Sequence, residues 1–192
     1  MRNLTAFVVA ASCFASTAFA DDELAAEGKP APMFRLPVYN AKAVGGATAI
    51  GLDKYVGPDA TDKDAKVVLL SFMASFCGPC KKEMPYLESL HEKYGAKGLR
   101  IVMVSIDTED KGYAIINELI EKNKVQFPVL KDRFNLVARR WLGTQSPLPS
   151  VFMINTDGVV KMVHRGYNQE ASELFDKEVA AAVGAPTATA GK

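Results

Sequence analysis

Two cysteines stand three residues apart in Cys77-Gly78-Pro79-Cys80. Thiols at that spacing can exchange electrons with another disulfide, hold a soft metal ion, or cross-link the chain. Pro79 bears on the choice. Proline is tolerated in the first turn of a helix, where its missing N–H has no partner to lose, so the pair is expected to open a helix. Cys77 then stands at the helix N-terminus, where unpaired N–H groups and the helix dipole favour negative charge. Its thiol pKa is expected to fall from about 8.5 into a range of roughly 3.5 to 7.5, which makes a ready nucleophile. Cys80 falls one turn on along the same face and can close a short disulfide with Cys77. As a staple so small a loop restrains the unfolded chain little, so redox exchange is the stronger reading. The rival is a Cu(I) carrier, in which Met73 or Met84 would add thioether sulfur. Both fall in apolar patterns where methionine fills core gaps, and His91 and His164 read as a helix-surface residue and a strand end.

The elements that must position the pair surround it. Residues 67–76 form a nearly unbroken apolar run, the pattern of a strand covered on both faces. In the helix that follows, Met84, Leu87, Leu90 and Tyr94 recur at helical spacing, which leaves Lys81, Lys82, Glu88 and Glu92 for solvent. Pro85 is expected to kink this helix, and Gly95 and Gly98 to end it. Residues 99–106 read as a second buried strand. Asp107-Thr108-Glu109-Asp110, rich in N-cap residues, leads a helix to about Asn123 with Tyr113, Ile116 and Ile120 on one face. A short extended stretch at 127–130 and a brief helix at 135–141 precede two strands, 151–154 and 159–163, joined by the hairpin signal Asn155-Thr156-Asp157-Gly158. A last amphipathic helix, 170–183, would bury Leu174, Phe175 and Val179. Upstream, Phe34 and Leu36 mark an edge strand, and Gly45-Gly46 turns the chain into a returning strand at 47–52. This is an α/β pattern: a mixed central sheet flanked by helices, with an N-terminal β-hairpin extension. A right-handed crossover makes the two apolar strands parallel neighbours.

The ends of the chain read differently. Arg2, an apolar run over 4–14 and Ala18-Phe19-Ala20 before Asp21 have the form of a cleavable secretory signal, residues 1–20, too short to span a bilayer. Its removal takes Cys13 and leaves 22 basic and 22 acidic residues, with Cys77 and Cys80 as the remaining thiols. A neutral chain without a basic run argues against nucleic acid as a partner. The alternative for this segment is a lipidated Cys13 after Ala10-Ala11-Ser12, which lacks the usual Leu three residues before the cysteine. Residues 21–30 are expected to be a loose N-terminal segment, 31–183 the folded domain, and 184–192 a disordered tail.

Taken together, Ala31-Pro32-x-Phe34, the apolar strand running into Cys77-Gly78-Pro79-Cys80, the helix proline Pro85, and Leu148-Pro149-Ser150-Val151-Phe152-Met153-Ile154 resemble the thioredoxin superfamily. Within it they look like the TlpA/ResA-like exported thiol-disulfide oxidoreductases. The resemblance spans roughly 31–183. It implies a thioredoxin-like fold with a cis peptide bond between Leu148 and Pro149, packed against the cysteine pair. A substrate peptide would then meet Phe76, Gly78 and Pro79 on one side and Leu148 and Pro149 on the other. The resemblance also gives Glu83, three residues after Cys80, the task of moving the Cys80 proton; otherwise Glu83 belongs to a wet Lys81-Lys82-Glu83 face. Ser71 stands where thioredoxins proper usually hold a buried Asp. Met73 and Phe76 replace rings with polar tips, so the surface around Cys77 should be more apolar than is usual.

The activity so implied is thiol-disulfide exchange with catalytic Cys77, Cys80 and Glu83. It needs no cofactor or metal beyond the redox-active Cys77–Cys80 disulfide. The expected setting is the periplasm or another exported location. The expected partners are disulfide-containing envelope proteins, including apocytochrome c in cytochrome c maturation, and a membrane thiol reductase as electron donor. A peroxiredoxin-like peroxidase is the enzymatic rival. It calls for Thr three residues before the attacking cysteine and a proline further upstream, where this chain has Ala74 and an apolar strand without proline.

Overall fold

The computed structural model describes residues 24–184, so the expected signal sequence, Cys13 and nearly all of the expected tail lie outside the described residues. Strand β3 (Val67–Met73) is the middle of the main sheet and buried along its whole length. On one side it pairs in parallel with β4 (Leu99–Ser105), which pairs in parallel with β5 (Val129–Lys131). On the other it pairs antiparallel with β6 (Ser150–Asn155), and β6 with β7 (Val160–Arg165). A separate hairpin joins β1 (Arg35–Pro37) to β2 (Ala49–Gly51). Among the described residues four α-helices complete the domain: α1 (Gly78–Tyr94), α2 (Asp110–Lys122), α3 (Leu136–Leu142) and α4 (Gln169–Val183). The mixed sheet and the N-terminal hairpin are as the sequence pattern implies.

The period-two alternation of a strand explains why β3 needs cover on both faces. Val67, Leu69 and Met73 point into a core closed by Met84, Leu87, Ile116, Phe175 and Val179 of α1, α2 and α4. Val68, Leu70 and Phe72 point into the other, against Leu52, Trp141 and Phe152. Trp141 meets the rings of Phe72 and Phe152 at 5.9 and 4.9 Å, and its indole N–H donates to Pro32 C=O at 3.1 Å. Such ring pairs add about 0.5–1.5 kcal/mol each beyond the area they bury.

Three local expectations are corrected. Glu88 does not face solvent. It is buried, and its carboxylate accepts the Gln126 N–H at 3.1 Å, because the chain entering β5 passes over α1 there and supplies a donor. Leu174 is exposed, since the inward stripe of α4 is Ala171, Phe175, Val179 and Val183. Residues 27–30, within the stretch expected to be loose, run along the outer edge of β7. Gly28 N–H donates to Val160 C=O, Val160 N–H to Lys29 C=O, and Val163 N–H to the Glu27 carboxylate. A sheet edge carries a row of unpaired backbone groups, and this segment satisfies those of Val160 and the Val163 N–H.

Candidate functional site

The chain leaves β3 through a tight turn in which Cys77 N–H donates to Ala74 C=O at 3.0 Å. Cys77 is the N-cap of α1, with extended backbone, and Pro79 lies in the first turn. Its Sγ accepts the Cys80 N–H at 3.2 Å, one of the donors a helix start leaves unpaired. The two cysteines are joined, with Cα atoms 5.3 Å apart. They are not equivalent. Cys77 keeps 8% of its surface exposed and Cys80 none, so an incoming sulfur can reach Cys77 first. Around Cys77 the surface is apolar: Phe76 is 77% exposed, a high value for a phenylalanine, and Gly78 and Pro79 are exposed beside it.

On the opposite flank, the register that sets Phe72 against Ser150 brings the preceding residue, Pro149, level with the end of β3. The Leu148–Pro149 bond is cis, as the resemblance implies. Pro149 is buried and its C=O accepts the Gly166 N–H, while Ser150 Oγ donates to Pro147 C=O at 2.7 Å. Leu148 is half-buried beside it.

Below the pair, the run Lys81-Lys82-Glu83 divides. Both lysines are exposed, but Glu83 is turned into the protein with 2% exposure and accepts the Ser71 hydroxyl at 2.7 Å. Burial pushes its carboxyl up to about 7, and the Ser71 hydrogen bond opposes only part of that. A wet-face role for Glu83 is thereby corrected: one turn beyond Cys80 stands a buried acid able to change charge near neutral pH. Met84, by contrast, is core, and its sulfur accepts the Asn123 side-chain amide at 3.4 Å.

A second buried acid is one that the sequence pattern does not single out. Asp107, expected as one of several N-cap residues, caps nothing; the N-cap of α2 is Glu109. Asp107 is buried and accepts the Ser75 N–H at 2.9 Å, the Ser75 hydroxyl, and the Ser105 hydroxyl at 2.8 Å. Tyr39 reaches Ser105 Oγ at 3.5 Å from behind, its phenol pushed up to about 12 mainly by burial. The signal in sequence is the Ser-x-Asp that ends an otherwise apolar strand.

The arrangement of strand, cysteine turn, helix and cis proline can be set beside known proteins. Residues 28–163 match the AhpC/TSA family. A thiol-disulfide oxidoreductase ResA of Bacillus cereus is 31% identical over 160 residues, 82% of this chain and 79% of the relative. The chain belongs to the AhpC/TSA family, on its ResA-like, thioredoxin-fold side. ResA of Bacillus subtilis (strain 168) is 33% identical over 146 residues, 76% of this chain and 71% of that protein. Among solved structures, a chain described as a thiol:disulfide interchange protein DsbE from Chlorobium tepidum superposes with a TM-score of 0.65 and 28% identity, covering 83% of this chain and 99% of the other. This ResA-like chain is a thiol-disulfide oxidoreductase. Its cysteine turn has the chemistry that activity requires: one cysteine that reaches the surface, one fully sheltered, and a helix start beneath them.

Proposed function

We propose that this ResA-like protein reduces protein disulfides outside the cytoplasm, with Cys77 as the attacking thiolate and Cys80 as the resolving thiol. The observation that carries the reading is the inequality of the two sulfurs, with the Glu83 carboxyl buried one helical turn behind the hidden one. In the reduced protein the Cys77 thiolate attacks one sulfur of a substrate disulfide. A mixed disulfide forms and the other substrate sulfur leaves as thiolate. Cys80 then gives its proton to Glu83 and attacks Cys77 Sγ. The second substrate sulfur is expelled, and the Cys77–Cys80 disulfide closes. Two electrons have passed to the substrate, and a membrane thiol reductase would restore them.

Phe76, Gly78, Pro79, Leu148 and Pro149 form the surface on which a substrate segment would lie. The exposed phenyl of Phe76 favours segments with an apolar side chain near the cysteine. The redox disulfide is the only prosthetic element this scheme uses. The signal-like residues 1–20 support an exported location, where cysteines awaiting reduction, such as those of an apocytochrome c, would be substrates.

The test is a Cys80→Ser trap expressed in the native envelope. Mixed disulfides with envelope proteins, released by reductant, are the expected result. An empty trap, together with wild-type protein that fails to reduce insulin, would overturn the reading. Peroxide consumption dependent on Cys77 in place of insulin reduction would point to a peroxidase instead.

A further inference from the structure

The cysteine turn is held from outside its own helix. β3 and β4 continue to pair past their ends, with Ile106 N–H donating to Met73 C=O at 2.9 Å, and this lays Asp107 beside residue 75. The Asp107 carboxylate there takes both groups that Ser75 can donate, its N–H at 2.9 Å and its hydroxyl at 2.5 Å. The carboxylate is fixed in its turn by Ser105 Oγ at 2.8 Å and by the room that Gly112 leaves it on α2. A Cβ at residue 112 would lie 2.5 Å from Asp107 Oδ1. Ser75 is the second residue of the turn closed by the Cys77 N–H to Ala74 C=O bond. A turn gripped at that position has its last two residues set: Phe76 stands out in solvent and Cys77 caps α1.

We propose that Asp107 is a positioning residue for thiol-disulfide exchange: through Ser75 it holds the turn that keeps Cys77 Sγ on the unpaired N–H groups at the start of α1. The proposal rests on the reading of Cys77 as the attacking sulfur. Asp107 touches no reacting atom. It acts by keeping the sulfur where the helix start can stabilise its charge, and a turn free to wander loses that stabilisation for part of the time. Other charges face the same region. Glu109 and Lys111 line the groove beside Phe76, Lys81 and Lys82 are exposed on α1, Glu83 lies beneath Cys80, and Tyr39 with Lys131 stands behind Ser105. Residues 143–149, across the site, bring no ionisable side chain.

Position and charge predict opposite shifts, which makes the proposal testable. In the reduced protein the pH midpoint for alkylation by iodoacetamide reports the more accessible thiol, Cys77. Asp107→Ala is expected to raise that midpoint by about one unit, slowing alkylation about tenfold at pH values below both midpoints. Asp107→Asn, whose amide oxygen can still accept from Ser75 while its NH2 faces Ser105, is expected to keep the wild-type midpoint. A folded Asp107→Ala variant with the wild-type midpoint would overturn the proposal, leaving Asp107 a matter of stability alone. A lowered midpoint in Asp107→Asn would also overturn it, because the charge and not the grip would then be what matters. Should Asp107→Ala fail to fold, Ser75→Ala, which loses only the hydroxyl arm, is expected to shift the midpoint in the same direction by a smaller amount, and Ser75→Thr to restore it; an unshifted Ser75→Ala overturns the proposal. A wild-type midpoint no lower than that of free cysteine, about 8.5, would instead sink the nucleophile reading itself.

Discussion

Glu83 and Asp107 are both carboxylic acids, both buried, and both beside the cysteine turn, yet their surroundings prepare them for different work. Glu83 is buried with one donor among the described residues, the Ser71 hydroxyl, and burial pushes it up to about 7. Asp107 is gripped by three donors from two residues of neighbouring strand ends. Glu83, with one donor, is poised to trade a proton, whereas the three donors on Asp107 make it a tie between two strand ends. Depth of burial therefore says little about role; the number of donors, and what they are attached to, says more.

Glu83 is read as serving Cys80 and Asp107 as serving Cys77, and exchange begins at Cys77, so the largest effect is expected from removing that sulfur. Cys77→Ser should abolish disulfide exchange, and retained insulin reduction would break the comparison at its base. Next, Glu83→Gln should slow resolution of the mixed disulfide near neutral pH by on the order of a hundredfold, the lower range for a lost general base. Stopped-flow decay of a trapped mixed disulfide measures it, and an unchanged pH–rate profile would make Glu83 a passive filler.

A stability measurement sharpens the contrast further. The folded-state pKa of Glu83 is raised, so the folded protein binds more protons than the unfolded chain between the ordinary carboxyl value and about 7. Its contribution therefore favours the fold below about pH 4.5 and is lost as pH rises through about 7, a swing of about 3 kcal/mol. Urea unfolding of wild type and Glu83→Gln across that window should show a slope in the first that is absent in the second. Ser71→Ala should move the Glu83 midpoint upward by about one unit, since it deletes the Ser71 hydroxyl that favours the charged form; NMR titration of the carboxyl reads it. The smallest effect on the fold is expected from Phe76→Ala, within about 0.5 kcal/mol because the ring is exposed, while KM for apolar substrates rises.

Much of this was legible in the chain because the signals are local. The apolar run of β3, Pro79 in the first turn of α1, and the Asp157-Gly158 hairpin each act within a few residues, and the structure follows them. Helix periodicity was less dependable at the edges of a stripe. Glu88 and Leu174 lie where one face shades into the next, and the neighbouring segment decided which way each went. The cis bond before Pro149 came from the resemblance of a whole motif, since an X-Pro pair by itself admits both isomers.

The sequence by itself determined the reactive pair, the helix that opens at it and the α/β order that carries it, because spacing, period and proline placement are properties of a short stretch. Only the tertiary structure decided which acids are buried and what they bond to. The resemblance named Glu83 but left a wet face open, and its burial, like the separation of Asp107 from Glu109 and Asp110, followed only from the packing of β3, β4 and α1. A carboxyl's burial and donors come from residues far along the chain, such as Ser71 for Glu83 and Ser75 for Asp107, and no local pattern encodes which of them will meet it.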